Sequence, residues 1–275
     1  MKTQQERLNY LLKQMQNDMK EYQSVELPET YEERRKALRA FMNIRMPKPV
    51  PEEMCLVQDE FLAEEAREKG IVEWEDIPTV KKQYGSIHPF ADKISIWKGD
   101  ITRLRVDAIV NAANSQMLGC FIPCHKCIDN AIHSAAGMQL REECYEIMQK
   151  KRMIFGKTYE EPIGKAMLTK GYNLPAEYVI HTVGPIVEFR LNSDLCEDLQ
   201  NCYQSVLRCA LENEIRSVAF CCISTGEYRF PNEMAANIAV ETVSEFLETY
   251  SDKFDRIIFN VFKEVDLELY KNRLD

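Results

Sequence analysis

The amino-acid sequence predicts a three-layer α/β/α domain with a mostly parallel sheet, preceded by an all-helical segment. Short, continuous apolar runs such as YVIHTV and SVAFCCIS recur from Ile94 onward, and strands apolar on both faces belong to a sheet covered on both sides. These runs alternate with longer stretches of helical periodicity, the order that builds crossover connections between parallel strands. Before that point the helical periodicity is present and convincing strands are not. The chain is therefore expected to divide into a helical N-terminal extension, 1–90, packed on an α/β domain, 91–275.

The elements follow in order. Leu8, Leu11, Leu12 and Met15 fall on one helix face, and a second periodic run covers Tyr31 to Met42. MPKPVPEE then breaks the chain with prolines, and Glu52 to Lys69 reads as a third helix stopped at Gly70. Strands are expected at ISIW (94–97), DAIV (107–110), KAMLT (165–169), YVIHTV (178–183), SVAFCCIS (217–224) and RIIFNVF (256–262). Between them, Asp129 to Gln149, Asp194 to Asn213 and Asn232 to Tyr250 carry helical periodicity. No internal repeat or low-complexity tract interrupts the pattern.

Composition narrows the function classes. A chain of 275 residues with 45% hydrophobic and 29% charged residues has ample material for a core. Its formal charge of −9 argues against binding a nucleic-acid backbone, which needs a basic surface, while leaving room for a small anion at a local site. No stretch approaches the length needed to span a bilayer. Charges interrupt every apolar run of MKTQQERLNYLLKQMQNDMK, the wrong chemistry for a secretory signal. The ten cysteines are thus expected as reduced thiols in a cytoplasm. Cys209, Cys221 and Cys222 lie in apolar runs and read as core.

Ligands of such folds bind beyond the carboxyl ends of the strands, and the unusual segments lie there. GDIT (99–102) follows the first strand and NAAN (111–114) the second. STGEYRFPNE (224–233) follows the strand ending at Ile223 and opens the last long helix. A Ser-Thr-Gly turn there exposes backbone N–H groups near a helix N-terminus, which suits phosphate oxygens and needs no basic patch.

GCFIPCHKCIDNAIH, Gly119 to His133, is the strangest stretch, because Cys120, Cys124, His125 and Cys127 crowd into one loop. A thioredoxin-type redox pair at Cys124 and Cys127 needs neither a third cysteine nor a histidine. PCHKC also matches half of the zinc deaminase signature, whose other half is an upstream His-x-Glu. The only upstream histidine is His88, followed by Pro89 and Phe90, so that chemistry is incomplete. Zinc takes thiolate and imidazole ligands, and three of them leave the open position of a catalytic site. His133 and His181 read as hydrogen-bonded core or near-site residues.

Together, WKGDITRLRVDAIVNAAN, IDNAIHSAAG, YVIHTVGP and ISTGEYRFPNE, in this order, resemble the macrodomain family, in particular its ADP-ribosyl hydrolase branch, over about residues 90–275. The resemblance implies an α/β/α fold around a mixed six-stranded sheet, with ADP-ribose in a cleft at the strand ends. By position, Asp100 and Ile101 would meet the adenine, Asp100 accepting from its amino group, and Phe262 would stack on the ring. The bland alternatives are a turn-capping Asp100 and a core Phe262. Ser224, Thr225, Gly226, Glu227 and Tyr228 would form the diphosphate loop, and Asn114 would reach the distal ribose. Asp129 matches the family's acidic residue near the anomeric carbon, so Asn114 and Asp129 are the expected catalytic pair.

The chain departs from the common hydrolase pattern where a glycine-rich loop is replaced by CFIPCHKC. It is similar there to a zinc-carrying macrodomain subgroup with the pattern Gly-Cys-Phe-x-Pro-x-His-x-Cys-Ile-Asp-Asn. That resemblance implies a zinc cofactor held by Cys120, His125 and Cys127, with Cys124 on a free position. A closed four-ligand site that includes Cys124 is the alternative. The implied activity is zinc-dependent removal of mono-ADP-ribose from protein side chains, chiefly as an ester of Asp or Glu. The implied protein partner is a lipoyl-carrier protein modified by a sirtuin-like transferase. The competing expectations are a non-catalytic ADP-ribose reader with structural zinc, and an O-acetyl-ADP-ribose deacetylase.

Overall fold

Thr3 starts the first helix by a reciprocal cap: its hydroxyl accepts from the Glu6 N–H, and its own N–H donates to the Glu6 carboxylate at 2.7 Å. The structure, a computed structural model, describes residues 3–275. Helix α1 runs Gln4–Asp18, α2 runs Tyr31–Ile44 from a Thr30 cap, and α3 runs Glu52–Lys69, ended by Gly70 at φ 80°. Leu8, Leu11, Leu12 and Met15 of α1 meet Leu38 and Phe41 of α2 and Phe61 of α3 in one apolar cluster, so the periodicity seen in the sequence is the face each helix buries. Met138 enters the same cluster from further along the chain.

Strand β1 (Val72–Glu73), helix α4 (Val80–Tyr84), β2 (Ile94–Lys98), β3 (Leu104–Arg105) and β4 (Ala108–Ala113) follow, then α5 (Ile128–Ala136) and α6 (Met138–Phe155). Next come β5 (Ala166–Lys170), β6 (Tyr178–Val183), α7 (Ser193–Glu212), β7 (Ser217–Phe220), α8 (Asn232–Tyr250), β8 (Arg256–Val261) and α9 (Glu264–Arg273). Six strands form one sheet in the order β2-β8-β7-β4-β6-β5. All neighbours are parallel except β5, which runs antiparallel to β6. The sheet lies between the α5–α6 pair and the row α7–α8–α9, giving the three layers and the mixed six-stranded sheet expected.

The structure corrects several boundaries. The single helix read from Asp129 to Gln149 is two, broken at Gly137 with φ 99°. A Cβ there would lie 2.7 Å from Gln58 Nε2, while Gln58 Oε1 accepts the Met138 N–H at 2.9 Å. The break is thus where α3 docks, and apolar periodicity runs across it because both halves bury the same side. The second strand reaches Ala113, so Asn111, Ala112 and Ala113 of NAAN are part of it. The strand begun at Ser217 ends at Phe220, and the CCIS that follows is already loop. The first ninety residues do hold a strand: β1 pairs in parallel with β3 over two residues, too short to show a period. Helix α9 is equally silent in the sequence, since charge dominates EVDLELYKNR.

All ten cysteines are free thiols; Cys221 is buried, and Cys209 and Cys222 pack against the core partly covered. Among the described residues no helix is long and apolar enough to cross a membrane.

Candidate functional site

The carboxyl end of β4 and the start of α5 bring the catalytic candidates together. Asn111, fully buried in β4, donates to Asp129 Oδ1 at 2.8 Å. Asn114, just past the strand, points its amide nitrogen at the Gly119 carbonyl (3.2 Å) and at Asp129 Oδ2 (3.5 Å). Asp129 lies in the first turn of α5, where the helix N-terminus favours its negative form. Burial nevertheless pushes its pKa up to about 6, against the hydrogen bond from Asn111 and the charge of Arg141.

Behind Asp129 sits a second group of possible metal ligands, His133, Cys144 and His181, whose atoms lie within 4.8 Å of one another. Hydrogen bonding argues against an ion there. The Asn111 amide nitrogen, already fixed by Asp129, donates to His181 Nδ1 at 3.0 Å, which places the imidazole proton on Nε2, facing Thr169 Oγ1 at 2.9 Å. Neither His181 nitrogen keeps a lone pair for a metal. His181 is the hydrogen-bonded core residue expected. His133 is near-site without being hydrogen-bonded: Nε2 is 3.5 Å from Asp129 Oδ1. Its ring lies under Gly119 (φ 79°), where a Cβ would meet it at 2.8 Å.

The loop from Asn114 to Cys127 has no helix or strand. It gathers Cys120, His125 and Cys127 so that one ligand atom of each lies within 4.8 Å of the others. Zinc bonds of about 2.3 Å to sulfur and about 2.0 Å to nitrogen imply tetrahedral S···N separations of roughly 3.5 Å; Cys120 Sγ and His125 Nδ1 are 3.7 Å apart. The donor set and spacing therefore fit a zinc ion. Burial pushes the Cys127 thiol up to about 12, although its sulfur accepts the Asn130 N–H, so a thiolate here requires a cation beside it. Cys124 is turned away, its thiol donating to the Lys36 carbonyl at 3.4 Å.

Residues 221 to 231 make the loop between β7 and α8. Ser224 takes φ 65° and Arg229 φ 55°, and the loop closes on itself through Phe230 N–H to the Ser224 carbonyl at 3.0 Å. Among the described residues, the N–H groups of Gly226, Glu227 and Tyr228 donate to no backbone carbonyl, and no atom would crowd a Cβ at Gly226. Gly184 lets the β6 end pass close beneath: a Cβ there would sit 2.1 Å from Ser224 Oγ. Glu227 Oε1 lies 3.7 Å from His125 Nε2, so this loop meets the cysteine-rich one. Tyr228, in the same loop, is half-buried.

Further along the sheet edge, Asp100 Oδ1 accepts from Thr102 N–H and Oγ1 at 3.0 and 2.7 Å, the turn-capping role named as its alternative. Ile101 is buried. Phe262 falls one residue past β8 and is 77% exposed, which rules out core packing. Asn111 was not a candidate from the sequence, although a polar residue inside an otherwise apolar strand is a usable signal. Arg39 and Asn43, which reach the cysteine-rich loop from α2, carry no such signal.

The family model for the Macro domain matches residues 110–239. A protein-ADP-ribose hydrolase of Treponema medium is 44% identical over 269 residues, covering 98% of each chain. One from Staphylococcus aureus (strain MRSA252) is 40% identical over 275 residues, covering 98% of this chain and 96% of the relative. Among solved structures, a Trypanosoma brucei macrodomain in complex with ADP-ribose aligns with TM-score 0.64 at 30% identity, over 86% of this chain and 95% of that one. An Oceanobacillus iheyensis macrodomain with ADP aligns with TM-score 0.59 at 36% identity, over 68% and 93%.

Proposed function

The chain belongs to the macro domain family, and from that premise we propose that it is a protein-ADP-ribose hydrolase whose Cys120, His125 and Cys127 hold zinc, cleaving mono-ADP-ribose esters of Asp or Glu. One observation supports this most: Asn114, Asp129 and the Cys120–His125–Cys127 group converge at the carboxyl end of β4, facing the loop around Gly226.

In this reading the backbone N–H groups of Gly226, Glu227 and Tyr228 bind the diphosphate, with Ser224 and Thr225 shaping the loop. The Asp100 carboxylate accepts from the adenine amino group beside Ile101, and the exposed Phe262 ring covers the base. Asn114 orients the distal ribose so that its anomeric carbon faces Asp129. Asp129, held by Asn111, takes a proton from a water as the water's oxygen bonds to that carbon and the carbon's bond to the modified side chain breaks. The side chain leaves as a carboxylate. Cys120, His125 and Cys127 would hold the zinc beside these residues, where it would supply Lewis-acid chemistry. The protein partner is an ADP-ribosylated carrier; a lipoyl-carrier protein modified by a sirtuin-like transferase is the candidate to try.

The test is release of free ADP-ribose from proteins modified at an acidic side chain, at serine or at arginine. Release from the acidic linkage alone supports the reading. Tight ADP-ribose binding with no release from any of them would make the chain a reader.

A further inference from the structure

Resting on the metal reading above, we infer that helix α2 is a working part of the metal centre: Arg39 and Asn43 hold the loop in the shape that gathers its three ligands. A loop without secondary structure has nothing of its own to keep three ligand residues in place. Here each one is tied down from outside the loop. The Arg39 guanidinium donates to the His125 carbonyl at 3.1 Å, and through Nε and Nη2 to Asn130 Oδ1 at 3.1 and 2.7 Å. Asn130, so held, donates its N–H to Cys127 Sγ at 3.4 Å and its amide to the Ile122 carbonyl at 3.0 Å. Arg39 therefore reaches two ligand residues, one directly and one through Asn130.

The third ligand is held through Arg141. This buried guanidinium bonds the carbonyls of Leu118 (2.7 Å) and Cys120 (3.5 Å) on one side. On the other it bonds those of Met42, Asn43 and Arg45, at 2.7 to 2.9 Å. It thus fastens the end of α2 to the start of the loop. Asn43, 1% exposed, accepts the Cys124 N–H at 2.9 Å and donates to Ser134 Oγ at 3.0 Å. Cys124 takes φ 51°, a conformation a non-glycine residue adopts only when its surroundings hold it there. Outer partners that orient metal ligands typically change metal affinity by about 10–100-fold when removed. Arg39 and Asn43 are positioning residues on this account, and the helical extension belongs to the site.

The experiment measures zinc affinity by competition with a chromophoric chelator, alongside Tm, for the full chain and for Arg39→Ala, Arg39→Lys and Asn43→Ala. Arg35→Ala is the control: its guanidinium ties α2 to Glu65 of α3 and touches nothing in the loop. Expected is a loss of zinc affinity of about 10-fold or more in both alanine variants, unrelieved by lysine, which lacks the fork. Arg35→Ala should lower Tm while keeping wild-type affinity. Arg39→Ala and Asn43→Ala proteins that hold zinc as tightly as wild type overturn the inference, as does an equal loss in Arg35→Ala, which would reduce the effect to general stability. The metal reading fails separately if the wild type takes up no zinc that Cys127→Ala abolishes, and the inference falls with it.

Discussion

Asp129 carries two opposed demands. Burial favours the neutral acid, while the Asn111 amide and the Arg141 charge favour the carboxylate. The balance suits a base near neutrality and ties its work to Asn111. Asp129→Asn keeps the volume and removes the base, so kcat should fall about 10²-fold or more while calorimetric ADP-ribose affinity stays close to wild type. Gly184 tests the diphosphate loop. A Cβ would lie 2.1 Å from Ser224 Oγ, and overpacking of this kind costs about 1–3 kcal/mol. Gly184→Ala should therefore weaken ADP-ribose binding by about tenfold, or ~1.4 kcal/mol, measured by titration calorimetry. Unchanged affinity would mean that the loop around Ser224 does not hold the diphosphate.

Among the elements, helices α1 to α3 bury one apolar face each, and Phe61 is wholly buried between them. Phe61→Ala should cost about 3–5 kcal/mol in urea unfolding. Asp18, at the end of α1, ties it to the end of α2 and the segment beyond, bonding Arg45 and Lys48 at 2.7 and 2.9 Å. Burial raises the Asp18 pKa, but the bonds from Lys48 and Arg45 outweigh it, and the net shift is downward. A carboxyl more acidic when folded stabilises the protein fully above the ordinary carboxylate pKa of about 3.9, and that contribution is lost as pH falls through the lowered folded value. Tm should therefore drop more steeply below about pH 4 in wild type than in Asp18→Asn; parallel curves would remove Asp18 from the acid response. Helices α1 and α2 were legible because each carries an amphipathic period, and α3 because prolines precede it and Gly70 ends it. The break at Gly137 was not, since its cause, the Gln58 side chain docking from α3, is a tertiary contact.

For the whole molecule, the sheet, its layers and the segments at its carboxyl edge are all legible in short apolar runs and the loops that follow them. Which atoms meet at that edge is less so. GCFIPCHKC announces metal ligands by residue type, yet Cys124 is a fourth of the same type, and only the folded loop turns its thiol to Lys36 and away from the other three. The tie from α2 to that loop joins residues some eighty to ninety positions apart in sequence, and no local pattern encodes it. Extension, loop and sheet edge make one site on this account, with zinc at its centre. The most direct check is release of ADP-ribose from a protein modified on an acidic side chain, by enzyme as isolated, after chelation, and after zinc is returned. Release should stop on chelation, resume with zinc and never occur in Cys127→Ala. Undiminished release after zinc removal confirmed by elemental analysis would contradict this and leave the chemistry to Asp129 and Asn114 alone.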